Sequence, residues 1–387
     1  MRKSSVLIIY LFFIYILSFG RDVYTGAEQM DKLIPLLKGK SVGLIVNHSS
    51  LIGNTGTHLL DTLLSQGIKI KKIFAPEHGF RGTADAGEAI NNSKDKATGI
   101  PIISLYGKNK KPTTSQLKDV DILLFDIQDV GARFFTYIST LHYVMDACAQ
   151  NNKPLIIADR PNPCDYVDGP IRKSYLKSFV SLDPIPILHG CTVGELANMI
   201  NEEGWLDKKL KVKLTVIPIK GWKHGEPYSP VIKPSPNLPN DLAIAFYPSL
   251  CPFEGTAISV GRGTDIPFQV IGSPDIKVYS FSFTPRSMKG FDTNPLYKDI
   301  KCFGNNLKNI TPPKGLTLQY IISYYKEYKK NGKEKLFFTR PKWFDTLIGD
   351  SIVRRMIIDG ADEKHIRSTW KEELDEYKEI RNKYLLY

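Results

Sequence analysis

The sequence lacks the fingerprints of most cofactor-dependent enzymes. No G-x-G-x-x-G follows the first strand-like run and no Walker A stretch occurs, so there is no ready phosphate-binding loop. Cysteine is scarce: Cys148, Cys164, Cys191, Cys251 and Cys302 are far apart and include no C-x-x-C pair, which argues against a zinc or dithiol motif. His48, His78 and His189 match no H-E-x-x-H or related spacing, so no metal is expected. A G-x-S-x-G elbow is missing, which removes the usual support for a Ser-His-Asp hydrolase. Repeats and low-complexity tracts are also absent. Beyond the N-terminus no apolar run reaches the roughly 20 residues of a membrane span.

What is present suits a globular protein. The 387 residues are enough for two domains, with 42% apolar and 24% charged residues. Arg2 and Lys3 precede the apolar run from Val6 to Leu17, and Ser18-Phe19-Gly20 places small residues where a signal peptidase cuts. Residues 1–20 are therefore expected to be a signal peptide and the mature chain to be periplasmic or secreted, touching membrane only before cleavage. Loss of Arg2 and Lys3 lowers the formal charge from +12 to +10. Such a chain favours anionic partners. Its basic runs, Lys108-Asn109-Lys110-Lys111 and Lys208-Lys209, show no nucleic-acid-binding pattern and read as solvated loops.

Strand and helix patterns alternate from 41 to 217. Strands are expected at 41–46, 68–74, 101–105, 120–125, 154–158 and 211–217, and helices at 57–65, 136–150 and 192–206. Thr192 with Glu195 three residues later forms a capping-box pattern. This alternation predicts an α/β fold, a Rossmann-like parallel sheet covered by helices, over residues 21–238. The proline-rich stretch 233–240 reads as a linker. A smaller mixed α/β domain is expected over 239–387, with short strands at 242–246, 257–260 and 268–271 and helices at 316–329, 351–359 and 366–384.

Polar clusters follow the expected strands: Asn47-His48, then Glu77-His78 with Arg81, then Asp126-Ile127-Gln128-Asp129 with Arg133, then Asp159-Arg160. In a parallel sheet these ends share one edge, where ligands bind. Glu77, bracketed by Pro76 and Gly79, is the leading candidate for a general acid or base; pairing with Arg81 is its plain structural alternative. Asn47 and Asp129 suit helix caps equally well. Arg81, Arg133, Arg160 and Arg262 are candidate carboxylate clamps. Tyr137 fits both a sugar-facing aromatic and the apolar stripe of its helix. Glu254 and Arg262, in glycine-rich loops, are placed to close the crevice from the second domain.

Several long motifs carry a resemblance. They are Pro76-Glu77-His78-Gly79-Phe80-Arg81-Gly82, the run from Asp126 to Tyr137, and Asp159-Arg160-Pro161-Asn162-Pro163. Further on come Pro184-Ile185-Pro186 with His189-Gly190, Pro236-Asn237-Leu238-Pro239, Phe253-Glu254-Gly255-Thr256, Gly261-Arg262-Gly263-Thr264 and the final run from Arg381 to Tyr387. Together these resemble the exo-β-N-acetylmuramidase (NamZ) family, across essentially the whole mature chain. The resemblance implies a cofactor-independent glycosidase that removes terminal N-acetylmuramic acid from the non-reducing ends of peptidoglycan fragments, in a cleft between two domains. It makes Glu77 the catalytic glutamate. Asp126, Asp129, Asp159 and Glu254 are candidate partners, and a substrate acetamido group supported by a carboxylate or Tyr137 is the other route. Asn47, His48, His78, Arg81, Gln128, Arg133, Asp159, Arg160, Glu254 and Arg262 are the candidate substrate-binding residues. A non-catalytic muropeptide-binding protein and a phosphate-ester hydrolase are the alternative readings.

Overall fold

Six of the expected strands become one parallel array in the computed structural model, which describes residues 23–81 and 92–387. The proposed signal peptide and Gly82 lie outside the described residues. The strands are β1 (Ser41–Val46), β2 (Lys69–Ala75), β4 (Pro101–Ser104), β5 (Ile122–Asp126), β6 (Leu155–Ala158) and β7 (Leu214–Ile217); β3 (Ser93–Lys94) adds an antiparallel edge. Their order is β7-β6-β5-β1-β2-β4-β3. The chain builds outward from β1 on one side, then crosses back to β5 on the other. That is the strand order of dinucleotide-binding folds, with its reversal between β1 and β5.

Side chains alternate across the sheet and meet helices on both faces. Val42, Leu44 and Val46 of β1 pack with Leu33 and Leu37 of α1 (Met30–Leu37) and with Leu59, Leu60 and Leu63 of α2 (Leu59–Ser65). On the opposite face Ile45, Phe74 and Phe125 join Leu141, Val144 and Cys148 of α3 (Tyr137–Gln150) and Leu196 and Ile200 of α4 (Val193–Glu202). The Thr192–Glu195 capping box forms as expected.

The second of these cores continues without a break into the later part of the chain, through Ile258, Phe268, Tyr328 and Phe344. That part begins with a correction: residues 242–246 are not a strand but lie within helix α5 (Asp241–Leu250). The helix is buried nearly all round, so its sequence has no helical stripe. Its start is set by Asn240, whose side chain accepts from the Ala243 N–H at 2.9 Å. Residues 257–260 form no strand either, only a bridge from Ser259 to Gly272. Strands β8 (Val270–Ser273), β9 (Phe281–Phe283) and β10 (Cys302–Asn306) make a small antiparallel sheet ordered β8-β10-β9. Helices α6 (Gln319–Lys330), α7 (Pro341–Ile348), α8 (Ser351–Ile358), α9 (Glu363–Ser368) and α10 (Lys371–Asn382) follow.

The last residues return to the first half. Tyr387 donates its hydroxyl hydrogen to Asp159 (2.7 Å) and accepts from the Ile219 N–H (2.8 Å). Leu386 N–H donates to Glu195 at 2.8 Å. The five cysteines are buried and unpaired. Among the described residues no helix is long and apolar enough to cross a membrane.

Candidate active site

The turn after β2 is a constrained piece of backbone near the sheet edge. His78 (φ 65°) and Gly79 (φ 73°) are both left-handed, and the Gly79 N–H closes onto the Pro76 carbonyl at 3.0 Å. A histidine in this region is held there by its surroundings at a cost of about 1–3 kcal/mol. Its ring is buried, with Nε2 3.5 Å from Ser235 Oγ. The turn presents Glu77 to a cavity of about 500 Å³, a size suited to a small-molecule ligand.

Glu77 Oε2 accepts a 2.7 Å bond from Thr136 Oγ1, at the start of α3. Two phenols share its neighbourhood. Burial and then the charge and hydrogen bond of Glu77 raise Tyr106 well above the usual phenol range. Burial and then the Glu77 charge do the same to Tyr137, whose hydroxyl donates to the Pro234 carbonyl at 3.3 Å. Both phenols therefore stay protonated and can act as hydrogen-bond donors. Tyr137 lines the cavity and belongs to the core.

The cavity wall joins the two halves of the chain through edge-to-face aromatic contacts. Phe135 meets Tyr137 at 4.7 Å, Phe134 meets Tyr247 at 5.2 Å, and Tyr247 meets Phe268 at 5.0 Å. On the later half Arg262 donates to Glu254 Oε1 through Nε (3.1 Å) and Nη2 (2.8 Å). Burial would lower the Arg262 pKa, but the Glu254 charge outweighs it and raises it. Both residues border the cavity with Glu77, His78 and Tyr137. The expected linker 233–240 is also part of the wall: Ser235, Asn237 and Leu238 are buried and face the cavity.

The other sequence candidates are engaged elsewhere. Asp126 receives Arg160 Nε (2.5 Å) and Nη2 (2.9 Å), and Arg160 also donates to the Leu51 carbonyl. Asn47 accepts from Ser49 N–H (2.9 Å) and Oγ (2.6 Å), and Gln128 donates to the carbonyls of Asp129 and Pro161. This buried network fills the β1–β5 reversal where a dinucleotide fold would open its crevice. Asp129 accepts from the Gly131 N–H at 2.7 Å and lies 3.7 Å from His189, behind the cavity wall. His48 contacts the Lys233 carbonyl at 2.9 Å, and burial lowers its pKa to about 4. Asp159 accepts from Thr192 (2.6 Å), the Gly194 N–H (2.8 Å) and Tyr387; burial raises its pKa to about 6 despite these bonds.

Three of the four candidate carboxylate clamps are bound to other groups within the chain. Arg133 is fully buried, and its donors go to the carbonyls of Pro170, Ile185, Leu347 and Ile348, so it ties the fold together rather than reaching a ligand. Arg160 is occupied by Asp126 for the same reason of burial. Arg81 is half-exposed, lies over Phe80 and pairs with Asp95 at 2.7 Å instead of with Glu77. The basic run at 108–111 is not wholly solvated: Lys110 lies 4.4 Å over Phe179, a cavity residue, and Lys111 is 3.7 Å from Asp146.

Sequence reasoning missed Tyr106, Phe179, Arg340 and Trp343, all of which line the cavity. Tyr106 stands just past β4, so the rule that ligands gather at strand ends could have found it. Arg340 has no such signal and arrives through tertiary packing alone. Among the described residues, no group of three or more His, Cys, Asp or Glu side chains is arranged to hold a metal ion.

Comparison with known proteins agrees with the architecture. The family descriptions "Exo-beta-N-acetylmuramidase NamZ, N-terminal" and "Exo-beta-N-acetylmuramidase NamZ, C-terminal" match residues 42–242 and 245–387. The chain is 38% identical to the peptidoglycan beta-N-acetylmuramidase NamZ of Bacillus subtilis, covering 94% of this chain and 91% of that protein. Crystal structures of two DUF1343 family proteins of Bacteroides fragilis are similar throughout. One has a TM-score of 0.86 at 44% identity and the other 0.81 at 29%, each covering 95% of this chain and 99% of its own. On these matches over nearly its whole length, the chain belongs to the exo-β-N-acetylmuramidase NamZ family.

Proposed function

We propose that this protein is an exported exo-β-N-acetylmuramidase that releases terminal N-acetylmuramic acid from the non-reducing ends of peptidoglycan fragments, with Glu77 as general acid and base. One observation carries the assignment of Glu77: a strained turn at a strand end aims it into the shared cavity, where the Thr136 hydroxyl fixes its carboxylate. In the reaction the Glu77 carboxyl proton passes to the glycosidic oxygen as the bond to the anomeric carbon breaks. Water then supplies the hydroxyl at that carbon and returns a proton to the carboxylate. The protonated phenols of Tyr106 and Tyr137 lie beside Glu77, the first hydrogen-bonded to its carboxylate and the second to the Pro234 carbonyl. Of the four acids suggested as its partner, Glu254 shares the cavity, whereas Asp126, Asp129 and Asp159 are engaged outside its lining.

The cavity's aromatic wall suits a sugar ring. The signal-like residues 1–20 support export to where peptidoglycan lies. The test is Glu77→Gln, assayed on a chromogenic β-glycoside of N-acetylmuramic acid. We expect kcat to fall by about 10²–10⁴-fold with an unchanged melting temperature. Hydrolysis at the wild-type rate would overturn the assignment.

A further inference from the structure

The four arginines that the sequence offers as carboxylate clamps are all committed to other groups: Arg133 to backbone carbonyls, Arg160 to Asp126, Arg81 to Asp95 and Arg262 to Glu254. Arg340 is different. It borders the cavity, is exposed, and forms no ion pair with any described residue. Its guanidinium lies 5.2 Å from the centre of the Trp343 ring, another cavity residue. A guanidinium stacked on an indole is weakly hydrated, and its planar fork is ready for a bidentate anion.

The backbone beneath Arg340 is held at several points. Its N–H donates to the Gly255 carbonyl at 3.0 Å, directly beside Glu254. Gly255 packs so closely on Phe344 of α7 that an added Cβ would lie 2.6 Å from the Phe344 Cβ. At the far end of α7, Arg133 binds the carbonyls of Leu347 and Ile348. The helix that presents Arg340 is thus fixed at both ends. Outward from the cavity, Arg340, Lys342 and Trp343 also line a shallow depression of about 510 Å³ that contains no acidic residue.

We propose that Arg340, stacked on Trp343, receives the carboxylate of an acidic sugar in the cavity, the 3-O-lactyl group of a muramic acid residue, and so sets the preference for that sugar over neutral hexosamines. The proposal rests on the reaction described above. Arg262 serves a different purpose, since Glu254 already balances its charge.

The test compares hydrolysis of a chromogenic β-glycoside of N-acetylmuramic acid with that of its lactyl methyl ester, for wild type, Arg340→Met and Arg340→Lys. Wild type should prefer the acid by about 10–100-fold in kcat/KM, mainly through KM. The ratio should fall close to one in Arg340→Met and be intermediate in Arg340→Lys, whose ammonium lacks the fork. Melting curves check the fold. If Arg340→Met does not fold, Arg340→Gln and the weakening of the wild-type preference with salt decide the matter. Equal turnover of acid and ester by wild type, or an undiminished preference in a folded Arg340→Met, would overturn the proposal and leave the reaction standing. Failure of wild type to cleave either substrate would overturn the reaction and this assignment with it.

Discussion

Replacing Arg133 with methionine should loosen the seam between the two halves of the chain, not the grip on a substrate carboxylate. The guanidinium donates from Nη1 to the carbonyls of Pro170 (2.9 Å) and Ile185 (2.7 Å), and from Nη2 to those of Leu347 (2.9 Å) and Ile348 (2.7 Å). The last two belong to the final turn of α7, where carbonyls have no partner within the helix and carry its negative dipole end. Gly349 (φ 91°) ends that helix so close to the guanidinium that a Cβ there would lie 2.3 Å from Nη2. Methionine keeps most of the stem and removes every donor. Each buried carbonyl left bare costs about 1–3 kcal/mol. The substitution also relieves the cost of burying a charge, a cost visible in the Arg133 pKa, which burial, followed by the nearby Arg172 charge, pulls down to about 9. Setting one against the other leaves a net loss of about 3–5 kcal/mol. For 387 residues an unfolding entropy of about 0.8 kcal/mol/K turns that into a fall in Tm of about 4–6 °C. Arg133→Lys should recover only part, about 2 kcal/mol, because one ammonium cannot span four carbonyls. Urea unfolding, with the acid-over-ester ratio measured at 25 °C, is the assay. Unchanged stability together with a lost preference for the acid would refute the reasoning and make Arg133 a substrate clamp.

Thr136→Val should lower kcat by about 10-fold with little change in KM, since it removes the 2.7 Å bond that fixes Glu77 while keeping the side-chain volume; steady-state kinetics at saturating substrate check it. Stability should also fall as pH rises past neutrality. His224 sits 2.9 Å from both Asp165 and Glu195; burial lowers its pKa, but these carboxylates outweigh burial and raise it to about 9, with Arg381 at 3.3 Å as the opposing charge. The raised folded-state value means that the stabilisation is complete below pH 6.5 and is lost through pH 9. After discounting for solvent screening it amounts to about 1–2 kcal/mol. Urea midpoints from pH 6.5 to 9.5 should show this decline in wild type and a flatter profile in His224→Gln. The Asp159 and His48 transitions fall at lower pH. Above about pH 8.5 the unfolded chain also ionises the five cysteines, whose thiols burial raises in the fold, so the His224 contribution is read from the difference between wild type and His224→Gln, which share that decline.

The parallel sheet was legible because its strands are short, fully buried apolar runs, such as Ile122–Asp126, separated by helices with one apolar face. The helix Asp241–Leu250 was not legible, because burial on nearly all sides erases the helical period; the only local cue was the Asn240 cap. Glu77 could be found because strand polarity alone brings its turn to the ligand edge. The arginines could not be sorted, since Arg133, Arg160, Arg262 and Arg340 have identical chemistry in a sequence. Partners distant along the chain decide which of them is buried and which faces a cavity, as the bonds from Arg133 to Leu347 and Ile348 show.

The strand order suggests a nucleotide crevice at the β1–β5 reversal, and the side chains explain why the site lies elsewhere. In a dinucleotide fold that gap is lined by a glycine-rich turn and a helix N-terminus that cradle phosphate. Here the Arg160–Asp126 pair stands in it, braced by Ser50, whose hydroxyl donates to the Asp126 carbonyl at 2.5 Å. A buried guanidinium bound to a carboxylate leaves neither space nor unbalanced charge for a pyrophosphate. Ligand space shifts one strand along, to the end of β2, where the left-handed His78-Gly79 turn projects Glu77 away from the filled gap. That position is open on its far side until Glu254, Arg262 and α7 pack across it. On the proposed reading, the chemistry and the selectivity come from different parts of the chain: the acid from the sheet edge, the cationic wall from the later half. A single hydrophobic core running through both halves keeps them in register, with Phe344 and Leu347 of α7 in the same cluster as Phe74 and Tyr137 beside Glu77.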